Sequence, residues 1–395
     1  MRPDLEYIRK TDELIRPYVV RTPVVKSLYL SKLFNAEVYL KLENLQVTGS
    51  FKARGAFSKI LRNLDKARKN GVVAASTGNH GQAVAYASTT LGAKATIVMP
   101  TTAPQLKINR IKRFGGEVLL HGEIFDEAAK KAIELAEKEH RVFVHPFDDP
   151  DVIAGQGTIG LEISEVDPDI VVVPVGGGGL ISGISIALKS IKKDVKIVGV
   201  QSKKFPHAYL KRAEAKGKPK LPVEKYHGGF ILPDGIAVKE PGNITTKIIA
   251  ELVDDFKLIG DEELLNAIYI LAKRDKVIAE GAGAASVAAL LSGDLDVEGK
   301  RVVLVISGGN IDPPALMEAI LYGLNKDERL FYLKFRGPAD ALKTLSEHHA
   351  LAINACMRKL PVEGMEFSGY VILGTKNDFE KLVEDLKDNG CEIFE

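Results

Sequence analysis

Tryptophan is absent from this 395-residue chain, and cysteine occurs only twice, as Cys356 and Cys391. So few cysteines exclude a disulfide framework and a cysteine-based metal cluster, and they suit a reducing compartment. No apolar run reaches the roughly 20 residues that span a bilayer. Met1-Arg2-Pro3-Asp4-Leu5 carries no apolar signal core, so a cytoplasmic location is expected. Charge of either sign is not in excess, with 54 Lys+Arg against 52 Asp+Glu. No basic block stands out, which argues against nucleic acid or a membrane surface as partner. Low-complexity segments and internal repeats are also missing.

What remains is an ordinary globular composition, 45% apolar and 27% charged, long enough for two or three domains. Short apolar runs alternate with helical stretches. The strand-like runs are 39–43, 72–75, 95–99, 117–120, 141–144, 170–175, 196–200 and 301–306. Helical patterns cover 4–18, 82–91, 105–114, 124–139, 180–190, 261–273 and 283–291. This alternation predicts an α/β protein with mostly parallel sheets covered by helices on both faces. Sites in such folds lie beyond the carboxyl ends of the strands. From about 328 the order becomes βαββαβ, after a linker at Lys326-Asp327-Glu328, and fits a ferredoxin-like module. Residues 203–227, with Lys-Gly-Lys-Pro-Lys, read as an exposed excursion, and 145–151 as a loop.

Four motifs follow strand-like runs. In Thr48-Gly49-Ser50-Phe51-Lys52, a glycine turn delivers a lysine to a strand-to-helix junction. Taken alone, Lys52 can bind phosphate, form a Schiff base or be a plain surface charge. Gly176-Gly177-Gly178-Gly179-Leu180 lets successive N–H groups turn inward at a helix start, which makes a phosphate cradle or merely a tight turn. It is neither a Walker A loop nor a dinucleotide fingerprint. Ser76-Thr77-Gly78-Asn79-His80 offers N–H groups and hydroxyls suited to a carboxylate. His80 invites a general-base role, but a histidine behind a turn more often fixes its loop. Ser307-Gly308-Gly309-Asn310 ends a strand with a hydroxyl able to bond a heterocyclic nitrogen. A lysine, a phosphate cradle, a carboxylate loop and a hydroxyl together match pyridoxal phosphate and an amino-acid substrate.

Those motifs, with 145–158, Asp234-Gly235-Ile236 and Ala279-Glu280-Gly281-Ala282-Gly283-Ala284, resemble the threonine dehydratases. These belong to the serine/threonine dehydratase branch of fold-type II pyridoxal-phosphate enzymes, which also holds serine racemases. The resemblance runs over roughly 5–325, and the tail resembles an ACT domain. It implies a catalytic domain at 1–325 built of two open twisted sheets, with a small subdomain near 46–147, and an ACT-like domain at 328–395. It implies deamination of L-threonine to 2-oxobutanoate and ammonia, some L-serine turnover, a place in isoleucine biosynthesis, and a homodimer or homotetramer. Lys52 would carry the cofactor as a Schiff base and then remove the Cα proton. Phe51 would pack beside the ring, Gly176 to Leu180 and Gly235 would bind the cofactor, Ser307 its ring nitrogen and Asn79 its ring hydroxyl. Ser76, Thr77, Gly78, Asn79 and His80 would hold the substrate carboxylate.

Three departures sharpen the expectation. Thr77 stands where racemases of the family carry a second acid/base serine, which keeps serine racemase/dehydratase as the alternative. A pyridoxal-phosphate-binding sensor without turnover is the remote one. Gln201, Phe205 and His207 stand where cation-binding members have carboxylates, so no metal is expected. In the tail, Gly337-Pro338-Ala339 lacks a glycine after the proline, which counts against an amino-acid effector and leaves a structural or oligomerising role on an equal footing with it. The usual sheet order puts Cys356 and Cys391 at opposite edges, so no disulfide within the chain is expected.

Overall fold

The computed structural model describes residues 2–217, 231–359 and 364–394. The chain divides into two compact units, Met1–Asp312 and Pro313–Glu395. The sequence boundary at 325 lies at the far end of the helix Pro313–Lys326, which belongs to the second unit.

In the first unit the strands are β1 (Val24–Lys26), β2 (Glu37–Leu42), β3 (Val72–Ala75), β4 (Ala95–Met99), β5 (Glu117–Leu120), β6 (Val142–Phe143), β7 (Ile170–Pro174), β8 (Lys196–Ser202), β9 (Asp255–Ile259) and β10 (Arg301–Ile306). They form two sheets, ordered β1-β2-β10-β7-β8-β9 and β5-β4-β3-β6. Every pairing is parallel except β1 with β2. The expected α/β class with mostly parallel sheets is therefore observed.

Every residue of β3, β4 and β7 is buried. The period of two explains how one strand serves two cores. Val72, Ala74, Ile97 and Met99 pack with Phe57, Ile60 and Val84, whereas Val73, Ala75 and Val98 pack with Ala128 and Ala132. The helix Lys52–Leu61 lies on the first of these faces through Ala53, Ala56, Phe57 and Ile60.

Two readings need correction. Residues 207–215 are not an exposed excursion but a helix, His207–Ala215, with Ala208, Tyr209, Arg212 and Ala213 buried. The lysine-rich flank hid that short apolar stripe. Residues 218–227 of the same segment lie outside the described residues. The helix Pro150–Ser164 begins inside the expected loop. Asp149 caps it, accepting from Asp151 N at 2.8 Å, and Pro150 opens it. Its glycines disguise a helix but permit close packing: a Cβ on Gly155 would stand 2.5 Å from Arg54 O.

The second unit carries β11 (Leu330–Gly337), β12 (Leu351–Lys359), β13 (Met365–Ile372) and β14 (Glu392–Phe394), in antiparallel order β12-β13-β11-β14. Helices Ala341–Glu347 and Lys376–Asp388 complete the βαββαβ order. Leu333, Phe335, Phe367, Val371, Leu382 and Leu386 form its own core. Cys356, exposed on β12, and Cys391, buried before β14, belong to opposite edges of that sheet, and both thiols are free. No helix of the described residues is long and apolar enough to cross a membrane.

Candidate active site

Lys52 is the first residue of its helix, and the loop before it is stitched to the end of β10. Phe51 N donates to Ser307 O at 3.1 Å, Gly309 N to Gly49 O at 2.9 Å, and Ser50 bridges Gly308. Gly49 adopts φ +72°, and a Cβ there would meet Asn310 Oδ1 at 2.5 Å. Lys52 Nζ donates to Pro146 O at 2.7 Å and lies 5.1 Å from the centre of the Phe51 ring. Burial lowers its pKa to about 8, with Glu280 pulling the other way.

Two residues on, Arg54 points into a buried charge cluster that the sequence reading missed. Its guanidinium reaches Glu43 at 2.8 Å and Glu162 at 2.7 Å, and Lys41 also pairs with Glu162. Two cations face two carboxylates with almost no solvent exposure, so the first turn of the lysine helix is tied to β2 and to the helix Pro150–Ser164. Charged Lys41 and Glu43 at the end of an apolar strand were the available signal.

The glycine loop joins β7 to the helix Gly179–Ile191. Gly178 has φ +92°, and a Cβ on Gly177 would lie 2.2 Å from the Phe147 ring. Gly235 approaches from the far side: its carbonyl is 3.1 Å from where a Gly176 Cβ would be. Gly179 and Leu180 open the helix, so their N–H groups have no acceptor within it. The segment 145–148 joins this loop to Lys52. His145 Nδ1 accepts from Asp148 N at 2.8 Å, and Asp148 accepts from Ile244 N at 2.9 Å, capping the helix Asn243–Leu252. Pro146 thereby faces Lys52 while Phe147 underlies the glycines.

The Ser76 loop follows β3, and its helix starts at Asn79, not near 82 as the apolar pattern suggested. The N–H groups of Asn79 and His80 consequently sit in an open first turn. Gly78 N donates to Ser76 Oγ at 3.1 Å, and Thr77 is half-buried. The His80 ring bonds Val144 O at 2.8 Å, and burial lowers its pKa to about 3. It is a neutral loop anchor and no proton acceptor. Asn79 Nδ2 donates to Glu280 Oε1 at 2.7 Å. Ser307 is buried, and among the described residues its hydroxyl has only a long 3.4 Å bond to Ala282 O.

A desolvated amine, an open glycine-lined helix start, a weakly bonded buried hydroxyl and a held amide therefore share one set of strand-end loops. This donor set fits a group carrying an aldehyde, a phosphate and a ring nitrogen. A family model described as "Pyridoxal-phosphate dependent enzyme" matches residues 15–308. The chain belongs to this family. As a pyridoxal-phosphate enzyme it is 49% identical, over 84% of its length and 81% of the relative's, to the L-threonine ammonia-lyase of Thermotoga maritima. Among solved structures it is similar to a threonine deaminase from T.th., with TM-score 0.71 and 36% identity over 78% of this chain and 99% of that one. Maize serine racemase is similar too, with TM-score 0.74 and 30% identity over 82% and 99% of the two chains. At the positions where cation-binding members carry carboxylates, Gln201 donates to Val175 O at 3.1 Å and accepts from Tyr209 N at 2.7 Å, and Phe205 is buried.

Proposed function

We propose that this enzyme deaminates L-threonine to 2-oxobutanoate and ammonia, with L-serine as a slower substrate. The observation that carries the reading is the 49% identity to an L-threonine ammonia-lyase across most of both chains. The site geometry supports it.

When bound, pyridoxal phosphate withdraws electrons from the substrate's amino group and acidifies the adjacent carbon. Lys52 would hold the cofactor through its Nζ, and the free amine would serve as the base for the substrate's Cα proton. Burial keeps that amine neutral more readily than a free lysine, as a base requires. The N–H groups of Gly176, Gly177, Gly178, Gly179 and Leu180 bind the phosphate with the helix dipole behind them. Gly235 closes the cradle, and Phe51 packs beside the ring. Ser307 would meet the ring nitrogen with a neutral hydroxyl in place of a carboxylate, chemistry that suits elimination over transamination. Asn79 bonds the ring hydroxyl. Ser76, Thr77, Gly78, Asn79 and the backbone of His80 bind the substrate carboxylate at the helix start, and the His80 ring stays on Val144.

Catalysis belongs to residues up to about 325, with 46–147 as the smaller part. The βαββαβ tail is ACT-like and has a structural or oligomerising role in a homodimer or homotetramer. The enzyme is cytoplasmic, and its deamination of threonine serves isoleucine biosynthesis or threonine breakdown. Purified protein incubated separately with L-threonine and L-serine is expected to yield 2-oxo acid and ammonia from both. D-serine without 2-oxo acid would instead support the racemase reading, which the likeness to maize serine racemase and the Thr77 hydroxyl keep in play. An unchanged rate on adding isoleucine or valine is expected; inhibition would give the tail an effector site.

A further inference from the structure

One buried carboxyl, Glu280, has no part in the roles above. It caps the helix Gly281–Leu291 and lies in the wall of the site. Its N–H donates to Gly308 O at 3.1 Å, and a Cβ on Gly308 would stand 2.4 Å from Glu280 Oε1. Glycine at 308 is thus what lets the carboxyl enter.

A chain of hydrogen bonds fixes what Glu280 meets. Asn310 Nδ2 donates to Thr48 O at 2.8 Å, and a carbonyl can only accept, so the Asn310 amide has one orientation. The same Nδ2 donates to Asn79 Oδ1 at 2.7 Å. Asn79 must therefore turn its own Nδ2 the other way, where Glu280 Oε1 accepts it at 2.7 Å. The amide of Asn79 is held at both ends and keeps one N–H to spend.

The charges facing Glu280 come from several elements. Lys52 lies on its own helix, and Asp234 belongs to the short turn Asp234–Ile236. Lys107 and Arg110 sit on the helix Gln105–Arg113, where Lys107 pairs with Asp234 at 2.6 Å and Arg110 with Asp312 at 3.0 Å. Burial, then Asp234, raises the Glu280 pKa to about 7, against the Asn79 bond and the two cations. Glu280 in turn holds the Lys52 pKa up against burial.

We propose that Glu280 is a positioning residue that aims the Asn79 amide at the cofactor ring. The proposal rests on the pyridoxal-phosphate reading of the site.

Its test uses the holoenzyme with Glu280→Gln and Glu280→Ala. Cofactor retention is read at graded free pyridoxal phosphate, together with kcat and KM for L-threonine. Gln keeps an acceptor for Asn79 and removes only the charge. It is expected to retain cofactor within about three-fold of wild type. Ala removes the acceptor and is expected to weaken cofactor binding about ten-fold or more, with kcat falling alongside. Wild-type retention in the Ala variant, or a loss in the Gln variant as large as in Ala, overturns the proposal. A merely structural Glu280 would lower thermal stability and cofactor retention in both variants alike, with no rescue by Gln. Wild-type protein that holds no cofactor fails the underlying reading, and this is visible before any variant is compared.

Discussion

At the scale of single residues, the chemistry turns on how burial retunes three side chains. Lys52 is lowered to about 8 from the ordinary 10.5 because its ammonium loses solvent. Its amine is thus mostly neutral above pH 8 and mostly protonated below. An aldehyde condenses only with a neutral amine. Recapture of pyridoxal phosphate by cofactor-stripped enzyme is therefore expected to quicken as pH rises through about 8. A midpoint near 10.5 would mean that Lys52 is solvated or is not the acceptor. His80 is the loop anchor that its place behind a turn suggested. A histidine beside a catalytic loop advertises a base, whereas the ring is buried against Val144 O and uncharged at any working pH. Glu280 shows the reverse. Its string, Ala279-Glu280-Gly281, announces no chemistry, because its importance depends on Asn79, which is remote in the chain and adjacent in space.

At the scale of elements, loops do the binding and the packing beneath them fixes where they stand. Phe147 presses on the glycine loop so closely that Gly177→Ala would put a Cβ 2.2 Å from its ring. Either the loop or the 145–148 segment must move, and Pro146 is in that segment. Cofactor affinity is expected to fall about ten-fold or more, read by dialysis against graded pyridoxal phosphate; unchanged affinity would mean the loop is not the cradle. The lysine helix is held by the Arg54 cluster. Arg54→Met would leave Lys41 alone with two buried carboxylates, at a cost of about 3–5 kcal/mol. The thermal midpoint of the holoenzyme is expected to drop by at least ~6 °C; a drop under ~2 °C would show that water or rearrangement compensates. The elements themselves were unequally legible. Uniformly apolar β3, β4 and β7 announced buried parallel strands. The helix Pro150–Ser164 did not announce itself, because Gly155, Gly157 and Gly160 lower helix propensity and it is apolar on nearly every side. Its glycines serve contact with neighbouring backbone, which a local pattern does not encode.

At the scale of the whole molecule, the division into two parts was visible as a change in strand–helix order, whereas the allotment of strands to sheets was not visible in any local pattern and was only implied by the resemblance that set 46–147 apart. Nothing local distinguishes β2 and β10 from β3 and β4, yet they lie in different sheets, and the choice is made by long-range packing. The two units have separate cores. The proposed cofactor residues all belong to the first, so the cofactor should stabilise that unit by mass action. Calorimetry with and without pyridoxal phosphate is expected to move one component of the unfolding and leave the other. A single transition that shifts whole would show the two units unfolding as one.

The proposed chemistry depends on Lys52 as the residue that carries the cofactor. Borohydride reduction of the holoenzyme followed by peptide mass mapping tests this most directly. The pyridoxyl mass is expected on the peptide that contains Ser50-Phe51-Lys52 and on no other. Label on a different lysine, with Lys52 unmodified, would contradict it.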